Sequence, residues 1–175
     1  HELENKKYYG GVFDSTEFWK EIETKVYENY DPEVDFKTVL NGDGASWIDT
    51  GKERLPKCVL RNLDEFHINR SIFRKLGGGS KYIERIQKAI EDEDKEDLKE
   101  HLQEAKSYRH KKKDKEKVEE LEKYLLTHWE ELIDYRKRDI EFPEDVQGMG
   151  GIESNIDKII ADRFKKKGMR WTKEG

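Results

Sequence analysis

The feature that most constrains the fold is a long stretch, residues 80–140, in which apolar side chains recur every three or four positions among Glu and Lys. That spacing places the apolar side chains on one face of a helix and predicts three helices, over 80–92, 95–107 and 114–140. Because the apolar stripes are narrow and the remaining faces are charged, we expect an all-helical subdomain or an antiparallel helical hairpin with solvated outer faces. The stripes consist of Tyr82, Ile83, Ile86 and Ile90, then Leu98, Leu102 and Ala105, then Val118, Leu121, Leu125, Trp129, Leu132 and Tyr135.

The composition limits the remaining possibilities. The 175 residues are enough for one domain with a core, but 43% are charged and 33% hydrophobic, so part of the chain should be exposed helix. The net charge of -5 does not indicate general nucleic-acid binding, so any such surface must be local. The single cysteine, Cys58, excludes an internal disulfide and a cysteine-cluster zinc site, which fits a cytoplasmic protein. No apolar run is long enough to span a membrane.

The first part of the chain has the pattern of an α/β fold. Asp14 or Ser15 caps a predicted helix that runs to about Tyr30 and has one apolar face. Two short apolar runs, 34–40 and 57–60, predict buried strands, and residues 50–56 between them predict a loop. The pattern therefore favours a parallel or mixed sheet, followed by a helix that ends near Leu76. The apolar face of the first predicted helix comprises Phe18, Trp19, Ile22, Val26, Tyr27 and Tyr30.

Asp43 follows the first predicted strand and lies between two glycines. A carboxylate in this position could hold a metal ion, because the backbone can turn sharply and no neighbouring Cβ blocks a ligand. The same letters, Asn-Gly-Asp-Gly, are also typical of a hairpin turn, in which case residues 45–50 would form the returning strand. From this stretch alone the hairpin turn is favoured, and the metal-site interpretation depends on motifs later in the chain.

A second carboxylate, Glu153, begins the last predicted helix, residues 151–167. Carboxylates brought together from a strand end and a helix are ligands for hard divalent cations such as Mg²⁺ or Mn²⁺. Two such ions, about 4 Å apart, activate a water or a 3′-hydroxyl and stabilise the leaving oxygen in phosphoryl transfer. With 40 acidic residues in the chain, spacing alone gives little support to the pairing of Asp43 with Glu153.

Two further motifs have both a functional and a structural interpretation. Asp64 and His67 could support a metal site at the end of the second strand, or Asp64 could simply cap the next helix with His67 packed in its first turn. A basic tract near the C-terminus could grip phosphates and stack a base, or it could be an ordinary basic helix end. That tract comprises Lys165, Lys166, Lys167, Arg170 and Trp171.

Taken in order, four segments resemble the signatures of the ISLre-type insertion-sequence transposases, long catalogued as an uncharacterised protein family. The segments are Asn-Gly-Asp-Gly-Ala-Ser-Trp-Ile at 41–48, Leu-Asp-Glu-Phe-His at 63–67, Gly-Ile-Glu-Ser-Asn-Ile at 151–156 and Arg-Phe-Lys-Lys-Lys-Gly-Met-Arg-Trp at 163–171. The resemblance spans nearly the whole chain, and the order of the segments makes it specific.

The resemblance implies an α/β fold: a partial RNase H-like core of the DDE transposase type. Residues 1–76 would form its first part, 77–141 a helical insertion, and 142–175 the final core helix and basic tail. Asp43 and Glu153 would be the second and third acidic residues of the catalytic triad, with Asp64 and His67 in support. The reaction implied is Mg²⁺- or Mn²⁺-dependent cleavage and transfer of DNA strands at the ends of a bacterial mobile element. The expected setting is a nucleoid-associated, homo-oligomeric complex.

The family's first catalytic aspartate lies on a strand upstream of the region seen here. We therefore expect this chain to be a partial catalytic domain that is inactive alone. The alternative is a non-catalytic helical module that binds protein or nucleic acid. A coiled-coil protein is disfavoured, because apolar heptads extend only over 118–135.

Overall fold

The computed structural model of the chain describes residues 7, 9–11, 13–144, 146 and 149. Within these residues the fold is mixed α/β, mostly helical, with a two-stranded parallel sheet. The helices are α1 Ser15–Asn29, α2 Trp47–Arg54, α3 Glu65–Leu76, α4 Tyr82–Glu91, α5 Lys95–Ser107, α6 Lys112–Thr127 and α7 Trp129–Leu132, with a 3₁₀ turn at Tyr135–Lys137; the strands are β1 Thr38–Gly42 and β2 Cys58–Leu63.

The segment between the strands is a helix, which corrects two expectations. Residues 50–56 were expected to form a loop, and residues 45–50 were a candidate returning strand, but α2 occupies most of this region. The hairpin interpretation is wrong because β1 and β2 run parallel, and parallel neighbours need a crossover between them. The predicted parallel arrangement is confirmed, although both strands extend further toward their C-terminal ends than their apolar runs. The first strand was expected over 34–40 and buried, but β1 begins only at Thr38 and is partly buried, and Val34 is exposed.

The first helix begins as its sequence predicts, since Asp14 accepts a hydrogen bond from the backbone N–H of Glu17. It packs on α2 through a small core of Trp19, Ile48 and Leu55. The predicted buried face is too wide, however. Tyr27 and Tyr30, at the far end of the helix, are about half exposed because α2 covers only the middle of α1.

The helical part is held by one larger core that also includes α3. Every stripe residue expected from the sequence is buried except Ile90, which is partly buried against the same core. The members with no exposed surface are Ile86, Ala89, Leu98, Leu102, Ala105, Val118, Leu121 and Leu125, together with Ile72 of α3. The prediction of helices with narrow apolar faces and solvated outer faces is therefore confirmed.

One helix boundary in this part was predicted wrongly. The single helix expected over 114–140 ends at Thr127, and the short helix α7 follows it. The break at His128 turns the chain so that α7 packs against β2, where Trp129 and Leu132 are buried. An apolar repeat continues through this turn, which is why the sequence alone indicates one uninterrupted helix.

The structure does not test the division into 1–76, 77–141 and 142–175, which stays a prediction. Glu153 and the basic tract at 165–171 lie outside the described residues. Among the helices that the structure does describe, none is long and apolar enough to cross a membrane.

Candidate functional site

Asp43 is the residue directly after the end of β1. Its side chain is exposed, and one carboxylate oxygen, Oδ1, accepts a hydrogen bond from the backbone N–H of Ala45 at 3.0 Å. Gly44 has φ of +87°, a conformation that strains residues with a side chain. The turn therefore holds the Asp43 carboxylate in place at the C-terminal edge of the sheet, which is where open parallel sheets bind ligands.

Asp64 takes the same position after β2, but its carboxylate is buried, with 2% exposure. Its Oδ1 accepts the N–H of Phe66 at 3.0 Å and caps α3, while Oδ2 accepts the side-chain amide of Asn41 at 2.8 Å. The capping role that the sequence allowed is therefore present. A supporting role for Asp64 in a metal site stays a prediction.

A buried arginine, Arg61, and a partly buried one, Arg138, join the end of β2 to the helices that follow. Arg61 is 3% exposed; it forms a salt bridge with Asp49, and its Nη2 lies 3.3 Å from the carboxylate of Glu131 on α7. Arg138 donates from Nη1 to the carbonyl of Arg61 at 2.6 Å and from Nη2 to Oδ1 of Asn62 at 3.0 Å. These contacts fix the helical part against the strand end that precedes Asp64.

A groove of about 310 Å³ opens beside Asp43, between α3 and α6. We call it the α3–α6 groove; its lining residues are Asp43, His67, Ser71, Arg74, Lys75, Glu120 and Tyr124. It brings together two residues that the sequence singled out, Asp43 and His67. Its α6 wall belongs to the helical region that the sequence analysis treated as an insertion.

Tyr124 of α6 lies beside the Asp43 turn. A Cβ placed on Gly44 would lie 3.5 Å from the Tyr124 ring and 3.6 Å from its hydroxyl. Burial raises the pKa of Tyr124 above its usual value, and the negative charge of Asp43 raises it further. The phenol is therefore protonated at neutral pH and can donate a hydrogen bond beside the carboxylate.

A larger cavity of about 720 Å³ lies elsewhere, between the start of α3, α4 and residues 132–137. It includes neither Asp43 nor His67. Several of its charged groups already form ion pairs with each other, as in Arg136 with Asp134 and Lys137 with Glu93. We therefore place the candidate site in the smaller groove.

The donor set suits a hard divalent cation only in part. Asp43 supplies an exposed carboxylate, and oxygen ligands are what Mg²⁺ and Mn²⁺ prefer. Among the residues that the structure describes, no three His, Cys, Asp or Glu side chains form a group that could hold a metal ion. Glu153 lies outside these residues, so its pairing with Asp43 stays a prediction.

Comparison with known proteins identifies the family. The model of an uncharacterised protein family, UPF0236, matches residues 1–175. The chain belongs to the UPF0236 family. Two UPF0236 proteins of Caldanaerobacter subterraneus subsp. tengcongensis are 31% and 30% identical to it over 174 residues, which is 99% of this chain and 36% of each relative. A UPF0236 protein encoded in the vanSb 3′ region of Streptococcus gallolyticus is 31% identical over 178 residues, 99% of this chain and 38% of the relative.

The UPF0236 chain thus spans little more than a third of the length of these relatives. No solved structure matches it.

Several groove residues of the UPF0236 chain escaped the sequence analysis. Tyr124 and Glu120 lie on α6 and read as part of a solvated helix, although their spacing of four places them on one face.

Arg61 gave a clearer signal, because a charged residue inside an apolar strand needs a buried partner. The partner itself, Glu131, could not be chosen among the many acidic residues of the helical region.

Proposed function

We propose that this chain is part of the catalytic region of a DDE-type transposase of the ISLre insertion-sequence type. In this proposal an RNase H-like core, interrupted by the helical region, carries out Mg²⁺- or Mn²⁺-dependent cleavage and transfer of DNA strands. DNA ends and target are the partners, in a nucleoid-associated, homo-oligomeric complex. Because the chain spans 36% of the relatives it matches, the activity of the whole protein belongs to the proposal as well.

The observation that carries the proposal is the position of Asp43. Its exposed carboxylate directly follows β1, beside the parallel strand β2, and opens into the α3–α6 groove. A carboxylate at the C-terminal edge of a parallel sheet is well placed for a ligand, since the strand fixes it and the edge leaves room. In this proposal, which follows the resemblance of the ordered motifs described above, this carboxylate would be the second member of a catalytic triad.

The residues have separate roles in this proposal. Asp43 and Glu153 would hold the metal ions, which supply an activated water or 3′-hydroxyl and stabilise the leaving oxygen when bound. The backbone N–H of Ala45 holds the Asp43 carboxylate in one orientation. The protonated Tyr124 phenol closes one side of the site, and His67 lines the groove on the other. The basic tract, Lys165, Lys166, Lys167, Arg170 and Trp171, would bind the DNA backbone and stack on a base.

The second candidate is a non-catalytic module whose charged helices bind protein or nucleic acid. The observation that favours it concerns Asp64. Both of its carboxylate oxygens are already bonded within the fold, to Phe66 and Asn41. Under this alternative the carboxylates at the strand ends would shape the turns and carry no metal.

Titration with Mn²⁺ separates the two candidates. We expect Asp43→Asn and Glu153→Gln each to weaken Mn²⁺ binding by roughly tenfold or more, because each removes a charged oxygen ligand. Asp31→Asn is the matched control: Asp31 is also exposed and also accepts a hydrogen bond from the N–H two residues later, that of Glu33. Unchanged affinity in both test variants would favour the non-catalytic module.

Activity provides a second test. We expect the 175-residue chain alone not to nick DNA that carries element ends, since the first acidic residue of the triad lies upstream in the family it resembles. Robust Mg²⁺-dependent nicking that Asp43→Ala abolishes would refute this inactivity while supporting the role of Asp43.

A further inference from the structure

We propose that the α3–α6 groove binds the backbone of a DNA strand, with Arg74 and Lys75 holding a phosphate a few nucleotides away from the phosphate that reaches Asp43. The inference rests on the proposed function and adds to it the path of the strand. It also assigns a role to the helical region, because α6 forms one wall of the path.

The polar residues of α3 form a continuous line along the groove. His67, Ser71 and Lys75 follow each other at steps of four, and Arg74 follows Ser71 by three, so all four lie on one side of the helix. From His67 to Lys75 the helix rises about 12 Å at 1.5 Å per residue. That length matches three to four nucleotide steps, at about 3.4 Å each along one strand of duplex DNA.

The two ends of this line differ in charge. Asp43 lies at the His67 end, beside the Tyr124 phenol, where the proposed function places the metal ions and the reacting phosphate. Arg74 and Lys75 lie at the other end, where no metal is needed to attract a phosphate. Lysine and arginine along a groove are the usual means of binding a nucleic-acid backbone.

An internal carboxylate already occupies the cationic end. Glu120 of α6 forms a salt bridge with Lys75, whose side chain is 19% exposed, whereas that of Glu120 is 64% exposed. The hydrogen bond from Lys75, its charge and the charge of Arg74 hold the pKa of Glu120 below its usual value. Lys75 therefore already binds an oxygen anion at this position, and the charge of Arg74 acts on the same anion. Because an exposed carboxylate gains little from such a pair, a phosphate can replace it at small cost.

The groove can be tested without metal. The full 175-residue chain is titrated against a short fluorescein-labelled DNA duplex in EDTA, at several NaCl concentrations, with fluorescence anisotropy as the readout. We expect Arg74→Gln to reduce the slope of log K against log[NaCl] by about 0.9, the value for one lost phosphate contact. We expect Glu120→Gln to tighten binding roughly two- to fivefold, because it removes a competing anion.

Matched controls separate the groove from general surface charge. Arg70→Gln removes the same charge one turn earlier on α3, from a side chain outside the groove, and should leave the salt slope unchanged. Glu119→Gln removes the same charge next to Glu120, from a side chain that pairs with Lys106 of α5, and should change affinity less than Glu120→Gln does. Circular dichroism of each variant checks that the helices are intact.

Three results would overturn the inference: no DNA binding by the wild-type chain, equal losses in the Arg74 and Arg70 variants, or no greater effect at Glu120 than at Glu119. If Asp43→Asn weakens Mn²⁺ binding but the groove variants do not change DNA binding as expected, only the groove assignment is lost. If the groove variants behave as expected but Asp43→Asn binds Mn²⁺ normally, the catalytic proposal is lost and the groove remains a nucleic-acid site.

Discussion

The buried arginine Arg61 offers a sharp test of how the candidate site is held together. Its guanidinium is 3% exposed, and its counter-charges are Asp49, whose side chain is 60% exposed, and Glu131, whose side chain is 26% exposed. Within the part of the chain that the structure describes, Nε and Nη2 of Arg61 have no hydrogen-bond partner. The cationic charge therefore depends on two carboxylates, both of which water can reach.

The perturbation is the double variant Asp49→Asn with Glu131→Gln, which keeps both shapes and removes both counter-charges. An uncompensated buried charge costs about 3–5 kcal/mol, so we expect the free energy of unfolding to fall by that amount. Adding Arg61→Met should then recover most of the loss, because the uncompensated charge is gone and a flexible apolar side chain takes its space. In the wild-type background Arg61→Met should lower the free energy of unfolding by less than the double variant does, since water can solvate both carboxylates that lose their partner.

Urea denaturation, followed by circular dichroism, measures these differences as shifts of the midpoint at constant m. The ordering of the variants is the decisive result. The description of Arg61 as a buried charge held by two carboxylates is wrong in either of two cases: the free energy of unfolding of the double variant falls by less than about 1 kcal/mol, or Arg61→Met destabilises the double variant further.

Three more predictions follow from single contacts. Asp64→Ala should lower the free energy of unfolding by about 2 kcal/mol, because α3 loses its N-cap and the Asn41 amide loses its acceptor; thermal denaturation measures it. Gly51→Ala should destabilise the fold despite the better helix propensity of alanine, since the new Cβ would lie 2.5 Å from the buried Trp19 ring; an increase in melting temperature would contradict this. Cys58 should react with iodoacetamide more slowly in the folded chain than in urea at pH 8, because burial raises the pKa of its thiol and lowers its thiolate fraction; equal rates would contradict this.

Some of the architecture could be read from the sequence because it depends on local periodicity. The stripe that begins at Ile83 and the cap at Asp14 are set by residues within one or two turns, and the structure confirms both. The break at His128 could not be read in this way. The apolar repeat continues across it, and the turn exists because α7 packs on β2, which lies far away in the chain.

The candidate site shows the same division. The sequence singled out Asp43, because a carboxylate between two glycines after an apolar run is a local pattern. Its neighbours Tyr124 and Glu120 lie on a helix some eighty positions later in the chain. In that region several helix faces are charged, and the sequence does not distinguish the face that lies beside Asp43. Only the packing of α6 on α3 selects them, and no local pattern contains that information.

The sequence by itself therefore determined that α1, α3 and the helices of residues 80–127 form, which faces of the helices in 80–127 are buried, and that a carboxylate follows the first strand. These properties follow from spacing and capping along the chain. The tertiary structure alone decided that the strands are joined by a helix, that the second carboxylate oxygen of Asp64 accepts the side-chain amide of Asn41, and that α3 and α6 form a groove beside Asp43. Those outcomes depend on contacts between residues that are far apart in the chain. The chain has many similar charged side chains, so the sequence alone does not identify which of them come into contact.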